Sequence, residues 1–301
     1  MTVSMNVKRA DAASYDATAS AFAVLTDRFS HDIAARMLDV AGVRHGERLL
    51  DVGTGTGLVA RLAAARGAEV LGIDHSTGML EQAQSSADRQ GVGSRTEFKA
   101  MDAEALDIED SSFDLVTSLF VMGHLPDPRA AVREMRRVLR PDGRLVISVG
   151  ARPEPFTLSG VRAVLDGLPD RMLGSIGWRA LAPATLRKFL RQEGLGAGHS
   201  HTAHAAHAAH AESIEVGQLL GAAGFARVRK EWWGQRFALS PEEFWDVQAV
   251  FDSEARGVLN ACAPSQREEL RSRFISHCES LAGRGVALIY RTGALIYSAS
   301  R

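Results

Sequence analysis

Cysteine is scarce in this chain: two among 301 residues, Cys262 and Cys278, with no Cys-x-x-Cys pair. That argues against a disulfide framework and against a cysteine zinc site, and it favours a reducing compartment. Long apolar runs are missing too. No segment reaches the roughly 18 apolar residues a membrane helix needs, and Met1 to Ser14, though it carries Lys8 and Arg9, has no apolar signal-peptide core. The expectation is a cytoplasmic protein with no membrane partner. Nor is there an excess of one charge sign. The formal net charge is -1, with 17 basic against 21 acidic residues through position 150 and 18 against 15 beyond it. No nucleic-acid partner is expected from that balance. The densest basic run, Arg129, Arg133, Arg136, Arg137, Arg140 and Arg144, interleaves with Ala130, Val132, Met135, Val138 and Leu139 at helical spacing, the pattern of a solvated helix face. What remains is ordinary: 46% hydrophobic and 24% charged residues, enough for one enlarged domain or a domain with a cap.

Hydrophobic periodicity orders the rest. Two helices are expected first, over Ala12 to Ala23 and Asp32 to Ala41, the second ending before Gly42. From Arg48 onward short apolar runs alternate with amphipathic segments. Leu49 to Val52, Val70 to Ile73 and Thr96 to Ala100 read as strands, with helices over Leu58 to Ala65 and Met79 to Ala87. Phe113 to Phe120 is a further strand, followed by a helix that Asp127 can cap, Pro128 can begin and Pro141 ends; Leu145 to Val149 makes a fifth strand after the Asp142-Gly143 turn. Strands alternating with helices mean βαβ units and a doubly wound parallel sheet. Beyond Gly150 the alternation stops. Val161 to Leu168 and Ala184 to Gln192 read as helices of a cap or lid, and the tail adds a strand over Phe225 to Trp232, helical stretches over Pro241 to Ala261 and Gln266 to Leu281, and a final strand over Val286 to Tyr297. The expected domains are 1–45, N-terminal helices covering the site; 46–150, the α/β core; 151–223, a helical cap; and 224–301, which completes the sheet.

The chemistry gathers at strand ends. Leu49-Leu50-Asp51-Val52-Gly53-Thr54-Gly55-Thr56-Gly57 puts a glycine-rich turn between a strand and a helix, where the backbone can approach a ligand closely. As a dinucleotide fingerprint it fails, because Leu58 stands where G-x-G-x-x-G requires its third glycine. The G-x-G-x-G spacing preceded by Asp51 resembles instead the nucleoside-binding loop of the class I S-adenosylmethionine-dependent methyltransferases. Further segments extend the resemblance over roughly residues 30 to 150 in order: Val70-Leu71-Gly72-Ile73-Asp74, Met101-Asp102-Ala103, Phe113-Asp114-Leu115-Val116-Thr117-Ser118 with His124-Leu125-Pro126-Asp127 after it, and Leu139-Arg140-Pro141-Asp142-Gly143-Arg144-Leu145.

That resemblance implies a Rossmann-like, mostly parallel seven-stranded sheet with a helical cap, and S-adenosylmethionine as cofactor. It also implies a set of cofactor residues. Asp74 would accept from both ribose hydroxyls, a task that suits a carboxylate, and Asp102 would meet the adenine amino group with Met101, Ala103, His75 and Met79 around the ring. The backbone of Gly53 and Gly55 would lie against the amino-acid end, Asp51, Thr54 and Gly57 would also bind the cofactor, and Ser118 and Leu119 would flank the sulfonium. Tyr15, in Ser14-Tyr15-Asp16-Ala17, resembles an aromatic that closes over the cofactor.

A sulfonium methyl is already activated, so transfer needs mainly an aligned nucleophile and excluded water. His124, a few residues past the fourth strand, is the candidate general base. The acceptor is expected to be a small, partly apolar molecule, with Phe156, Trp178, Phe189, Trp232, Trp233, Phe244 and Trp245 available either to line its pocket or to fill the core. The histidine tract His199 to His210 repeats every three residues from His201, which drifts about 60° per step around a helix; no metal site is assigned to it. Other readings stay open: an enzyme of this fold that uses the cofactor for cyclisation or elimination, or a non-catalytic module sensing nucleoside and metal. A homodimer is the default oligomer.

Overall fold

The computed structural model describes residues 15–16, 18–150, 185–195 and 215–301. Most of the expected cap, Phe156 and Trp178 within it, and the whole histidine tract lie outside the described residues. In chain order the elements are α1 (Ala19–Phe29), α2 (His31–Ala41), β1 (Arg48–Val52), α3 (Leu58–Ala65), β2 (Glu69–Asp74), α4 (Thr77–Arg89), β3 (Thr96–Ala100), β4 (Phe113–Leu119), α5 (Pro128–Val138), β5 (Leu139–Gly150), α6 (Thr185–Gln192), α7 (Val216–Ala222), β6 (Ala226–Ala238), α8 (Pro241–Phe251), α9 (Ser253–Ala261), α10 (Pro264–Ala282) and β7 (Ile289–Ser300).

The chain divides into two compact units. The first, Met1–Ala151 with His207–Trp233 and Ala294–Arg301, carries β1 to β5 and the larger parts of β6 and β7. Strand order is β3-β2-β1-β4-β5-β7-β6. β1 pairs in parallel with β2 and β4, β2 with β3, and β4 with β5, while β7 runs antiparallel to β5. The expected mostly parallel, seven-stranded, doubly wound sheet is therefore present. Its central strands are buried on both faces, which is why β1 and β4 read as continuous apolar runs rather than alternating ones. Leu50, Val52, Val116 and Ile147 join Val132 and Met135 of α5 on one face; Leu49, Leu115 and Val146 join Ile33, Met37, Val59 and Ala63 on the other.

The second unit, Arg152–Ala206 with Gly234–Gly293, holds α6, α8, α9 and α10 among its described residues, together with the end of β6 and the start of β7. Phe274 of α10 centres it, with the rings of Phe189, Trp245 and Phe244 at 5.3, 5.7 and 6.2 Å. Phe244 and Trp245 are buried there as core. In the first unit Trp233 packs on the sheet's α2 and α3 face.

Several element boundaries differ from expectation for local reasons. The first helix continues past Ala23 to Phe29, because Leu25 and Phe29 extend the buried stripe, and it closes where Ser30 N donates to Thr26 O at 2.9 Å. Pro141 does not end α5: the helix stops at Val138, and Leu139 already pairs with Phe113 as strand. The stretch Pro241 to Ala261 breaks into α8 and α9 at Asp252, whose carboxylate accepts from Glu254 N and Ala255 N, both at 3.0 Å, and so starts a new helix. The last two strands are shifted against expectation, β6 running on to Ala238 and β7 beginning only at Ile289. Among the described residues no helix is long and apolar enough to cross a membrane, and no three His, Cys, Asp or Glu side chains gather as a metal site.

Candidate cofactor and active site

Strand order reverses between β1 and β4, and open α/β sheets bind ligands beyond the carboxyl ends of the strands at such a switch point. Both loops leaving these strands are distorted there. Gly53, directly after β1, has φ 68°, and a Cβ on it would lie 2.3 Å from Val121 Cγ2 in the loop after β4. Only glycine lets the two loops approach this closely. Gly55 is also left-handed, φ 54°, yet no described residue lies within 4 Å of the position its Cβ would take. After β4, Phe120 adopts φ 62°, costly for a bulky residue and held by its N–H donating to Ser148 O at 2.9 Å. A one-turn helix over Met122–His124 follows.

Asp51 sits at the centre of this region, 1% exposed. Its two carboxylate oxygens accept from Thr54 Oγ1 at 2.7 Å and Thr117 Oγ1 at 2.8 Å, tying the glycine loop to β4. Burial pushes its pKa up to about 6 against the pull of both hydroxyls. Asp74, ending β2, accepts from Gly55 N at 2.9 Å through Oδ2 and from Ser76 N at 3.0 Å through Oδ1. Burial raises its pKa also. A carboxylate offers about four acceptor positions, so these two bonds leave it capacity for a ligand's donors.

The other sequence-selected residues fall around these two acids. His75 Nε2 lies 3.5 Å from Asp102 Oδ1, beyond good hydrogen-bond length. Met79 and Ala103 are buried and Met101 half-buried. Gly57 forms the left-handed N-cap of α3. Ser118 is fully buried, and its Oγ, like that of Thr56, has no hydrogen-bond partner among the described residues; Leu119 is half-buried and turned to the α2 and α3 face. Tyr15 and His124 meet edge to face, ring centroids 5.9 Å apart, with Phe22 on the tyrosine at 5.6 Å. His124 is solvent-exposed.

Four residues of this region were not singled out from sequence. Thr117 had a signal, being a hydroxyl inside the apolar strand FDLVTSL. Ser76 had one too, as a helix-capping residue ahead of Thr77. Val121 and Asp16 had none, since their contacts are visible only once the loops are brought together.

Comparison with known proteins agrees with this geometry. Residues 50–147 match a family model described as a methyltransferase domain. The chain is 34% identical over 174 residues to the ubiquinone biosynthesis O-methyltransferase of Alkalilimnicola ehrlichii, covering 55% of this chain and 68% of that one. It is 32% identical over 203 residues to the ubiquinone/menaquinone biosynthesis C-methyltransferase of Hahella chejuensis, covering 60% and 81%. In fold it is similar to the YcgJ protein of Bacillus subtilis, with a TM-score of 0.53 at 22% identity over 90% of this chain and 98% of that one. Strand order, glycine loop, strand-end acids and relatives converge: the chain belongs to the class I S-adenosylmethionine-dependent methyltransferase family, an enzyme whose cofactor is S-adenosylmethionine.

Proposed function

We propose that the protein methylates an oxygen, nitrogen or carbon of a small, partly apolar molecule, with cofactor and acceptor meeting at the loops after β1, β2 and β4. The observation that carries this reading is the joined pair of acids at the switch point, Asp51 closed off by two threonines and Asp74 left with acceptor capacity beside the open backbone of Gly55. The residues present fit the cofactor: a glycine turn left open at Gly55, the buried hydroxyls of Ser118 and Thr56, without partners among the described residues, and a carboxylate with acceptor capacity to spare suit a zwitterionic nucleoside. When bound, S-adenosylmethionine supplies an electrophilic methyl on a positively charged sulfur.

The chain's own residues would then divide the work. Asp74 holds the ribose diol, and Asp102 with Met101, Ala103, His75 and Met79 frames the adenine. Gly53, Thr54, Gly55 and Gly57 present backbone to the amino-acid end, and the N-terminus of α3 favours its carboxylate. Asp51 acts at one remove, fixing the loop through Thr54. Ser118 and Leu119 bound the transfer region, and Tyr15 covers it, limiting water. Residues 151–223 select the acceptor. The names of the two relatives, one an O- and one a C-methyltransferase of quinone biosynthesis, make phenols and acidic carbon compounds the first acceptors to try.

Incubation with methyl-labelled cofactor and a panel of phenols, amines and acidic carbon compounds tests the reading. Label in a product, with S-adenosylhomocysteine released in equal amount, is the expected result. Product formed without cofactor consumption would instead mark a cyclase or eliminase. His124 takes the proton from the acceptor's attacking atom. Because solvent also reaches its ring, His124→Gln should lower kcat by roughly 30-fold, below the ~10²–10⁴ of a shielded base. A kcat unchanged at saturating acceptor rejects this role.

A further inference from the structure

Asp16 takes no part in the site as derived so far; only its neighbour Tyr15 does. We infer that Asp16 is a positioning residue, whose carboxylate clasps the start of α4, holds Tyr15 in place and so sets cofactor affinity without touching the cofactor. This inference rests on the cofactor reading proposed above.

The clasp joins residues sixty apart in sequence. Asp16 Oδ1 accepts from Ser76 Oγ at 2.5 Å and from Gly78 N at 2.9 Å. Both donors lie at the N-terminus of α4, Ser76 as its cap and Gly78 in its first turn, where unpaired backbone N–H groups favour an anion. Ser76 is 1% exposed and works in three directions: its Oγ also accepts from Met79 N at 3.1 Å, and its own N donates to Asp74 Oδ1 at 3.0 Å. Asp74 in turn accepts from Gly55 N. One unbroken hydrogen-bonded chain therefore runs from the N-terminal segment through Ser76 to the ribose-holding acid and the glycine loop.

Gly78 shows how closely the segment lies. A Cβ there would be 3.0 Å from Asp16 Oδ1 and 3.1 Å from Asp16 Cα. The backbone at Gly78 is not left-handed, and inside a helix glycine is a poorer choice than alanine. Contact with Asp16, not a turn, accounts for the glycine. The far end of the same segment is anchored separately. Asp27 of α1 pairs with Arg61 of α3 at 2.5 Å, and Arg61 is only 3% exposed. Asp16 is exposed by comparison, so its end is the one that can release. Releasing it frees Tyr15 from His124, 5.9 Å away across the ring contact.

Gly78→Ala separates this role from a merely structural one, because it strengthens α4 while pushing Asp16 away. Binding of S-adenosylmethionine and S-adenosylhomocysteine is measured by calorimetry on the full chain, alongside Tm, kcat and cofactor KM, for Gly78→Ala, Asp16→Ala, Asp16→Asn and Asp74→Ala. Losing charge-assisted bonds at one remove from the ligand should weaken cofactor binding about 5- to 10-fold in Gly78→Ala and Asp16→Ala. Tm of Gly78→Ala should be equal or higher, and kcat at saturating cofactor little changed. Asp16→Asn keeps an acceptor oxygen and should bind nearly as the parent does. Unchanged affinity in Gly78→Ala and Asp16→Ala, with affinity lost in Asp74→Ala, overturns the inference alone. Weaker binding of Gly78→Ala accompanied by a lower Tm overturns it as well. Affinity unchanged in all the variants, Asp74→Ala included, overturns the cofactor reading on which it rests.

Discussion

Asp74→Ala should weaken binding of S-adenosylmethionine by 10²–10³-fold while leaving the chain folded. A hydrogen bond to an ionised group is worth about 1.5–3 kcal/mol, and two ribose hydroxyls donating to one carboxylate bring the loss to about 3–4 kcal/mol at tenfold per 1.4 kcal/mol. The alanine also releases Gly55 N and Ser76 N, which Asp74 now accepts from. Asp74→Asn distinguishes the two contributions, since its amide oxygen can still serve one backbone donor but no longer both hydroxyls with a charge. Asp74 is held above the ordinary carboxylate range by burial, and only its ionised form accepts from both hydroxyls. Cofactor affinity of the parent should therefore fall with acidification at a pH above the usual carboxylate range, and this part of the fall should vanish in Asp74→Ala. Calorimetric titration across pH measures both effects. An alanine variant that binds within threefold of the parent, or whose pH dependence is unaltered, contradicts the assignment.

What could be read from sequence was whatever a local pattern encodes. Strand ends at Val52 and Asp74 follow from apolar runs meeting glycine or acid, and the order of the apolar runs implies the parallel sheet. The switch point was legible for the same reason, since Asp51, Asp74 and Asp102 all fall at or just past the carboxyl ends of strands. Contacts between segments distant in sequence left no such trace. Nothing near Val121 in the sequence points to Gly53, and nothing in Ser14-Tyr15-Asp16 points to Gly78. Their meeting depends on how far each loop protrudes, which periodicity does not report. Helix ends failed where a local contact overruled the pattern: the capping carboxylate of Asp252 breaks what reads as one helix, and the strand pairing of Leu139 with Phe113 ends α5 at Val138, ahead of Pro141. Aromatic residues were ambiguous in sequence because a large ring serves a pocket or a core equally well; Phe244 and Trp245 prove to be core around Phe274.

Asp51 should make the protein less stable as pH rises from 4 to 7, the reverse of what a salt-bridged carboxylate does. Its pKa in the folded state is about 6 against 3.8 as the ordinary value, so between these limits the folded chain holds a proton that the unfolded chain has released. Stability then falls with rising pH across that window, and the full cost is present above about pH 6. A shift of roughly two units corresponds to about 3 kcal/mol, a large part of the 5–15 kcal/mol typical of a domain. Burial is the main cause, and the hydroxyls of Thr54 and Thr117 offset only part of it. The ionised form is nonetheless the one to which both threonines donate, so the same charge that weakens the fold holds the glycine loop against β4. Asp51→Asn removes the titration but places an amide donor opposite one threonine. Urea unfolding of parent and Asn variant from pH 4 to 8 should show the parent losing stability relative to the variant as pH increases, by about 3 kcal/mol over the window. At neutral pH the variant should bind cofactor more weakly, because a loosened loop presents Gly55 less uniformly. Parallel stability curves for the two proteins would mean that Asp51 stays charged throughout, and that the threonines alone compensate its burial.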